Sequence, residues 1–289
     1  MTPTRRAGAA ARQAASRRAK ATAPPPRSGA QALERALRVL REIASSGEFG
    51  RRLADLQRST GLTKPTLHRI ARALVRQDFA TFDKKSRRYF LGAEISILSV
   101  SAPEDLQNLR ELSREDMRRL AEDTGDTAYL MVRSGNDVVC IARELGHYPI
   151  KALTGEIGTR RPLGVGAAGV TLLADLSEAE AEAVMKANRG RLRRLPNASA
   201  KAILAAVKDA RGKGYGFSDG LVIRAVCGIG MPIRDRRNRT VAALSVGAIR
   251  ERMTRSHVAA VVAALQRARR SIEQKLRAPA RRARATGRP

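Results

Sequence analysis

The sequence predicts an α+β protein in two parts: a winged helix-turn-helix over residues 29–92 and a larger domain on an antiparallel sheet over residues 105–277. Three observations carry this. Leu33 to Leu91 reads as three short helices followed by a hairpin. The third helix is basic, with no acidic side chain from Leu62 through Gln77. Beyond residue 105, two groups of strand-like segments are separated by helix-like ones, the pattern of an antiparallel sheet with segregated helices.

In the first helix, Leu33, Leu37, Leu40, Ile43 and Ala44 recur at spacings of three and four, one apolar face at 100° per residue. Ser45, Ser46 and Gly47 end it. A second helix is expected over Leu53–Ser59, with Leu53, Ala54 and Leu56 inward. The turn Thr60-Gly61-Leu62 uses glycine where the chain needs a left-handed residue. Thr63 then stands at an N-cap, and Pro65 lies in the first turn, where a missing N–H costs least.

The third helix is expected from Lys64 to about Gln77. Leu67, Ile70, Ala71 and Leu74 share one face, and Arg69, Arg72 and Arg76 the opposite one, flanked by Thr66 and His68. Such a helix offers its N-terminal half to the major groove. Lys64, Thr66, His68 and Arg69 are therefore the candidates nearest the bases or adjacent phosphates, and Arg72 and Arg76 the phosphate contacts. The wing follows: a strand at Ala80–Phe82, a turn at Asp83–Ser86 and a return strand at Arg88–Leu91. Lys84, Lys85, Arg87 and Arg88 on the turn and its exit are suited to neutralising phosphate.

A linker is expected over residues 93–104, then an amphipathic helix through Leu106, Leu109, Leu112, Met117, Leu120 and Ala121. Thr127–Val132 and Val138–Ala142 flank a hairpin turn at Ser134-Gly135-Asn136-Asp137. Ile150–Leu153 reads as a short strand. Gly169–Leu176, Glu178–Lys186 and Ala200–Gly212 read as helices, the last capped by Ser199 or Asn197. Val222–Val226, Gly228–Ile233 and Thr240–Val246 read as strands, and Thr254 to about Leu276 as a closing helix.

Composition narrows the function. The chain has 289 residues and a formal net charge of +29, from 56 basic and 27 acidic residues. That excess implies a polyanionic partner. Much of it lies in tails expected to be disordered, residues 1–28 and 278–289. The first 27 residues hold seven Lys or Arg and no acid. These tails add salt-sensitive DNA affinity or reflect a genome rich in Arg, Ala and Pro codons. No apolar run approaches the ~18 residues of a membrane span. The basic start has no apolar core of a secretory signal, so a bacterial cytoplasmic location is expected. Cys140 and Cys227 are two, far apart, each in an expected strand. Their spacing supports neither a disulfide framework nor a zinc site.

Three other function classes fit less well. Gly164 to Gly169 matches G-x-G-x-x-G before a helix, but Thr159-Arg160-Arg161-Pro162 before it is no buried strand, so no dinucleotide cofactor is expected. His68, His147 and His257 pair with no visible nucleophile, so no catalytic residues, metal or cofactor are assigned. The remaining alternative is a non-specific nucleic-acid-coating protein acting through its tails. It would bind all duplexes nearly equally, with a steep salt slope.

The segments LTKPTLHRIARALVRQDFA and RRYFLG, then TGDTAYLMVRSGNDVVCI, GTRRPLGVGAAGVTLLA, GKGYGFSDG and CGIGMPIRDRRNRTVAALSVGAI, resemble the IclR-type (isocitrate lyase regulator) transcription factors in order and spacing. The likeness runs from about Ala30 to Arg277. It implies a GAF-like effector domain, a homodimer or homotetramer, a pseudo-palindromic operator on double-stranded DNA, repression, and control by a small organic or aromatic acid. The family's ligand turn carries over to Ala167 and Ala168, with Gly166 beside them. Asp219 matches a polar position near the ligand. Ser245 and Gly247 match positions that bear hydroxyls in some members, and only Ser245 keeps one. Gly228 aligns with a pocket position, and Cys227 lies next to it. A Gly-Lys pair common in the family is Gly169-Val170 here. Fewer side-chain donors imply a larger, more apolar ligand.

Overall fold

A computed structural model describes residues 30–100 and 105–278 of the chain. The basic tails fall almost wholly outside these ranges, as does the boundary at residues 101–104.

The N-terminal module consists of α1 (Gln31–Ala44), β1 (Arg51–Arg52), α2 (Leu53–Thr60), α3 (Lys64–Arg76), β2 (Ala80–Asp83) and β3 (Arg88–Leu91). Its sheet has the order β1-β3-β2 and is antiparallel. β1 was not expected from sequence, since two arginines have no strand signature; pairing with Tyr89 and Arg88 makes it one. Val39, Ile43, Leu56, Leu67, Ala71, Ala80 and Tyr89 form the core. Two inward assignments are corrected. Ala54 is exposed on α2. On α1, Val39 and Ile43 face the core, whereas Leu33 (61% exposed) and Leu37 stay in solvent. α1 thus has two apolar rows, and only one meets this module's core. Gly61 takes φ 67° at the turn between α2 and α3, the left-handed conformation that glycine adopts without strain.

The stretch expected as a linker holds α4 (Ala93–Val100), with Ile97, Leu98 and Val100 exposed. α5 (Asp105–Thr124) then leads into a six-stranded antiparallel sheet. Its strands are β4 (Thr127–Ser134), β5 (Asp137–Glu144), β6 (Arg160–Pro162), β7 (Gly216–Asp219), β8 (Val226–Arg234) and β9 (Thr240–Ile249), in the order β6-β5-β4-β9-β8-β7. α5 and the closing helix α9 (Arg255–Arg277) cover one face through Met117, Leu120, Leu265 and Ile272 against Leu130, Ile229, Met231 and Leu244. α6 (Ala167–Ala174), α7 (Glu178–Leu192) and α8 (Ala200–Lys213) cover the other through Leu173, Val184 and Ile203 against Tyr129, Met131, Val138 and Cys140.

The register contains a bulge that sets this division. Leu130 pairs with Ala142 and Met131 with Cys140, leaving Ile141 as the extra residue. Val138 and Cys140 consequently face α6–α8, while Ala142 faces α5 and α9. Local caps hold the helices. Ser177 and Glu180 form a reciprocal capping box on α7, Ser199 caps α8 through Ala202 N–H, and Thr254 caps α9 through His257 N–H.

Three strand assignments are corrected. Residues 150–153 form an irregular loop; Ile150 and Leu153 are exposed and Ala152 is buried, so the run pairs with no strand. Residues 222–225 turn rather than extend, and the strand in that region is β7, upstream. Arg160–Pro162 is a strand after all, a three-residue antiparallel edge on β5. An antiparallel edge is not the parallel βαβ unit of a dinucleotide fold, so the G-x-G-x-x-G match carries no such meaning here.

Candidate DNA interface and effector site

α3 and the wing enclose an open groove of about 1650 Å³. Lys64, His68, Arg69, Arg72 and Arg76 line it from α3, Lys85 and Arg87 from the wing, and Arg52 from β1. Arg52 was missed in the sequence because its strand was. Thr66 is only half-exposed, and Thr63 donates its hydroxyl to Thr66 Oγ1 at 2.9 Å. Thr63 therefore occupies the N-cap position without a side-chain bond to the helix backbone, contrary to the usual role of that residue. The first-turn N–H groups of α3 stay open beside the cationic groove, a favourable place for phosphate.

The wing turn is held from within. Asp83 accepts the N–H groups of Lys85 (3.1 Å) and Ser86 (3.0 Å) and the Ser86 hydroxyl. These bonds lower the Asp83 pKa, the Ser86 hydroxyl most. Lys84 and Lys85 project outward from this turn, and Arg87 leaves it at φ 54°. Arg88 is placed apart from them. Its Nη1 donates to the carbonyls of Phe49 and Gly50 at 3.0 Å each, so its guanidinium ties the wing to the turn before β1.

In the larger domain, Gly164 and Gly166 take φ 97° and 80° and turn the chain from β6 into α6. α6 starts at Ala167, two residues before the sequence-based expectation. Gly166 is its N-cap, and the N–H groups of Ala167 and Ala168 are first-turn groups with no acceptor inside the helix. The helix lies directly on a bed of glycines. A Cβ on Gly230 would fall 2.8 Å from Thr171 Oγ1, and one on Gly228 would fall 3.2 Å from Ala167 Cβ. Ser245, buried on β9, pairs in register with Gly230 and Tyr129 and so points to this same side. Gly166, Ala167, Ala168, Gly228 and Ser245 thus gather around one end of α6.

Asp219 and Cys227 do not join them. They pair with each other across β7 and β8, and Ser218, one residue earlier, is the β7 side chain on the α6 side, opposite Gly228. The Asp219 carboxylate accepts the Cys227 thiol at 3.1 Å and pairs with Arg250 at 2.6 Å. Burial, then this carboxylate, pushes the Cys227 thiol up to about 11, and burial pushes Cys140 to about 11. Both thiols are therefore expected to resist a disulfide reagent at pH 8 in the folded protein and to react fully once it is denatured, because only the thiolate attacks. Rapid labelling of the native chain would contradict this placement.

The three histidines sit apart. His68 is on the groove face of α3, His147 packs against Gly125, and His257 pairs with Asp126. Among the described residues, no helix is long and apolar enough to cross a membrane.

Residues 32–84 match the IclR helix-turn-helix domain, and residues 104–274 match the C-terminal domain of bacterial IclR transcriptional regulators. The HTH-type transcriptional regulator XynR of Escherichia coli is 25% identical over 251 residues, 86% of this chain and 98% of that protein. The glycerol operon regulatory protein of Streptomyces coelicolor is 30% identical over 225 residues, 78% of this chain and 87% of that protein. Among solved structures, an IclR homologue from Microbacterium hydrocarbonoxydans complexed with 4-hydroxybenzoate superposes with a TM-score of 0.64 at 22% identity, covering 85% of this chain and 98% of that one. A regulator from Silicibacter gives 0.68 at 25% identity, covering 85% and 96%. These relatives are regulators rather than enzymes, and the two matched domains account for both the cationic groove and the helix-covered sheet: the chain belongs to the IclR family of bacterial transcriptional regulators.

Proposed function

We propose that this chain is a repressor that binds a pseudo-palindromic operator as a homodimer, or as a homotetramer made of two such dimers, in the bacterial cytoplasm, and that a small organic acid with a sizeable apolar body releases it. The acid-free cationic groove between α3 and the wing carries the DNA half of this reading. Lys64, Thr66, His68 and Arg69 lie toward the bases; Arg72, Arg76, Lys84, Lys85, Arg87 and the newly found Arg52 lie toward phosphate, while Arg88 braces the wing. The uncovered row of Leu33 and Leu37 on α1, with Ile97, Leu98 and Val100 on α4, supplies apolar surface for a second copy. Two-fold pairing places two α3 helices on successive major grooves.

Repression follows the relatives named as repressors, among them AllR and the acetate operon repressor of Salmonella. The effector class rests on the open N–H groups of Ala167 and Ala168, the lone hydroxyl of Ser245, and a relative that holds 4-hydroxybenzoate. The ligand acts only through its different affinity for the DNA-bound and released geometries. The loop between β5 and β6 offers a path between the sites: a Cβ on Gly158 would fall 2.8 Å from the Ala44 carbonyl at the end of α1.

The test is fluorescence anisotropy of the purified protein on its own upstream DNA at ~150 mM salt, with excess unrelated duplex. A saturable complex that survives competitor and dissociates on adding one of a panel of aromatic and aliphatic acids is expected. Equal affinity for every duplex would instead identify a coating protein.

A further inference from the structure

We propose that Arg161 is the cation that pairs with the effector's carboxylate, which makes it the residue that selects an acid over its uncharged analogue. The inference rests on the effector reading above and adds to it a residue outside the turn at α6.

Register fixes where Arg161 points. It pairs with Val138 on β5, and Val138 faces the α6–α8 side with Cys140, Met131 and Tyr129. Leu163, two residues on, is fully buried on that side. The guanidinium reaches under the loop between β5 and β6: a Cβ on Gly155 would stand 3.1 and 3.3 Å from its Nη1 and Nη2. The same loop is pinned from beneath by Tyr129, which donates its hydroxyl to Ala152 O at 2.6 Å and accepts Thr154 N–H at 3.1 Å. A Cβ on Gly247 would stand 3.5 Å from the Tyr129 ring and 3.8 Å from Ala152 Cβ. Arg161, Tyr129, Gly247 and residues 152–155 therefore lie together on one side of the sheet.

Arg161 has no counter-ion there. Its neighbours are engaged: Arg160 pairs with Asp137 at 3.5 Å and donates to Ser134 Oγ at 3.1 Å, and Arg143 donates to Gly155 O at 3.1 Å. The Arg161 guanidinium makes no hydrogen bond or ion pair among the described residues, although the residue is half-buried and burial lowers its pKa. A partly desolvated, unpaired charge is costly, and a planar carboxylate matches a guanidinium in a bidentate pair. Tyr129 has both hydroxyl bonds satisfied and cannot serve as the anion's donor. The side chains packed beside it on this face of the sheet, Met131, Val138 and Cys140, are buried and apolar, so the carboxylate should be attached to an apolar body.

The experiment compares full-length wild type, Arg161→Leu and Arg161→Lys by calorimetry. The probes are matched carboxylate and carboxamide pairs, among them 4-hydroxybenzoate with 4-hydroxybenzamide and phenylacetate with phenylacetamide. The expected result is a wild type that binds a carboxylate member above its amide, a loss of about 10- to 100-fold in Arg161→Leu, and partial recovery in Arg161→Lys. Without ligand, Arg161→Leu is expected to melt no lower than wild type, because it removes an unpaired charge. A carboxylate that binds wild type and Arg161→Leu equally overturns the assignment and leaves the acid-effector reading intact. Carboxylates binding wild type no better than their amides, or not at all, overturn the acid-effector reading itself. A lower melting temperature for ligand-free Arg161→Leu would show a structural tie instead.

Discussion

Asp126→Ala is expected to cost about 3 kcal/mol of stability, the low end of the range for removing one partner of a buried ion pair. The Asp126 side chain is 2% exposed. Its Oδ1 accepts Arg252 Nε at 2.9 Å, and its Oδ2 meets His257 Nε2 at 2.6 Å. Arg252 also donates to Thr124 O at 3.0 Å and lies over the Tyr148 ring at 3.8 Å. One carboxylate thus joins the end of α5, the start of β4, the turn after β9, the first turn of α9 and the loop at Tyr148. Alanine leaves the Arg252 charge without its counter-ion, with only the Thr124 carbonyl left to accept from it. The low end applies because the Arg252 and His257 side chains keep about a fifth of their exposure. His257→Ala should cost less, about 1 kcal/mol, since Asp126 and Arg252 still neutralise each other. Urea unfolding of the two variants checks this: the midpoint of Asp126→Ala should fall well below that of His257→Ala at similar slope. Equal midpoints would mean that the cluster is already hydrated and carries little of the fold.

The elements that were legible in the sequence are those whose signal is local. α3 announced itself through Pro65, the Leu67-Ile70-Ala71-Leu74 face and the absence of acid, and the wing through its cationic turn. The errors arose where a strand is defined by its partner. β7 reads Gly-Phe-Ser-Asp and is a strand because Gly216 to Asp219 pair with Gly230 to Cys227. The β-branched stretch at Val222 and Ile223 has better propensity but no strand to pair with, and Ile223 is left exposed. At the proposed effector site, the turn at Gly166 was legible from its glycines. Tyr129 and Arg161 were not, since only the register of β4, β5 and β6, with the bulge at Ile141, turns them to the α6 side. The same parity sets Asp219 and Cys227 apart, because a shift of one residue exchanges the faces of a strand.

Gly92→Ala is expected to abolish operator binding while leaving the larger domain folded. Gly92 ends the wing and opens α4, and the Asp78 carbonyl occupies the place a side chain would take: a Cβ there would fall 1.9 Å from Asp78 O and 2.9 Å from Ala80 N. Both obstacles are backbone, so no side chain can swing aside. Two hydrogen bonds hold the approach, Gly92 N–H to Phe79 O at 3.0 Å and Glu94 N–H to Asp78 O at 3.1 Å. Asp78 itself takes φ 54°, so the chain between α3 and β2 is already in a left-handed turn with little freedom to retreat. A methyl group must therefore break both bonds and part β3 from the end of α3, displacing the wing that carries Lys85 and Arg87 from the helix that carries Arg69 and Arg72. The cost, about 3 kcal/mol for overpacking with two lost hydrogen bonds, is large for a module whose core is a few aliphatic residues and one tyrosine. Differential scanning calorimetry should show the transition of the small module lowered or lost and that of the larger domain unmoved, with operator affinity down at least tenfold in anisotropy. Retained affinity with a single unchanged transition would show that the wing and α3 can move apart without penalty, which the backbone contact at Asp78 forbids.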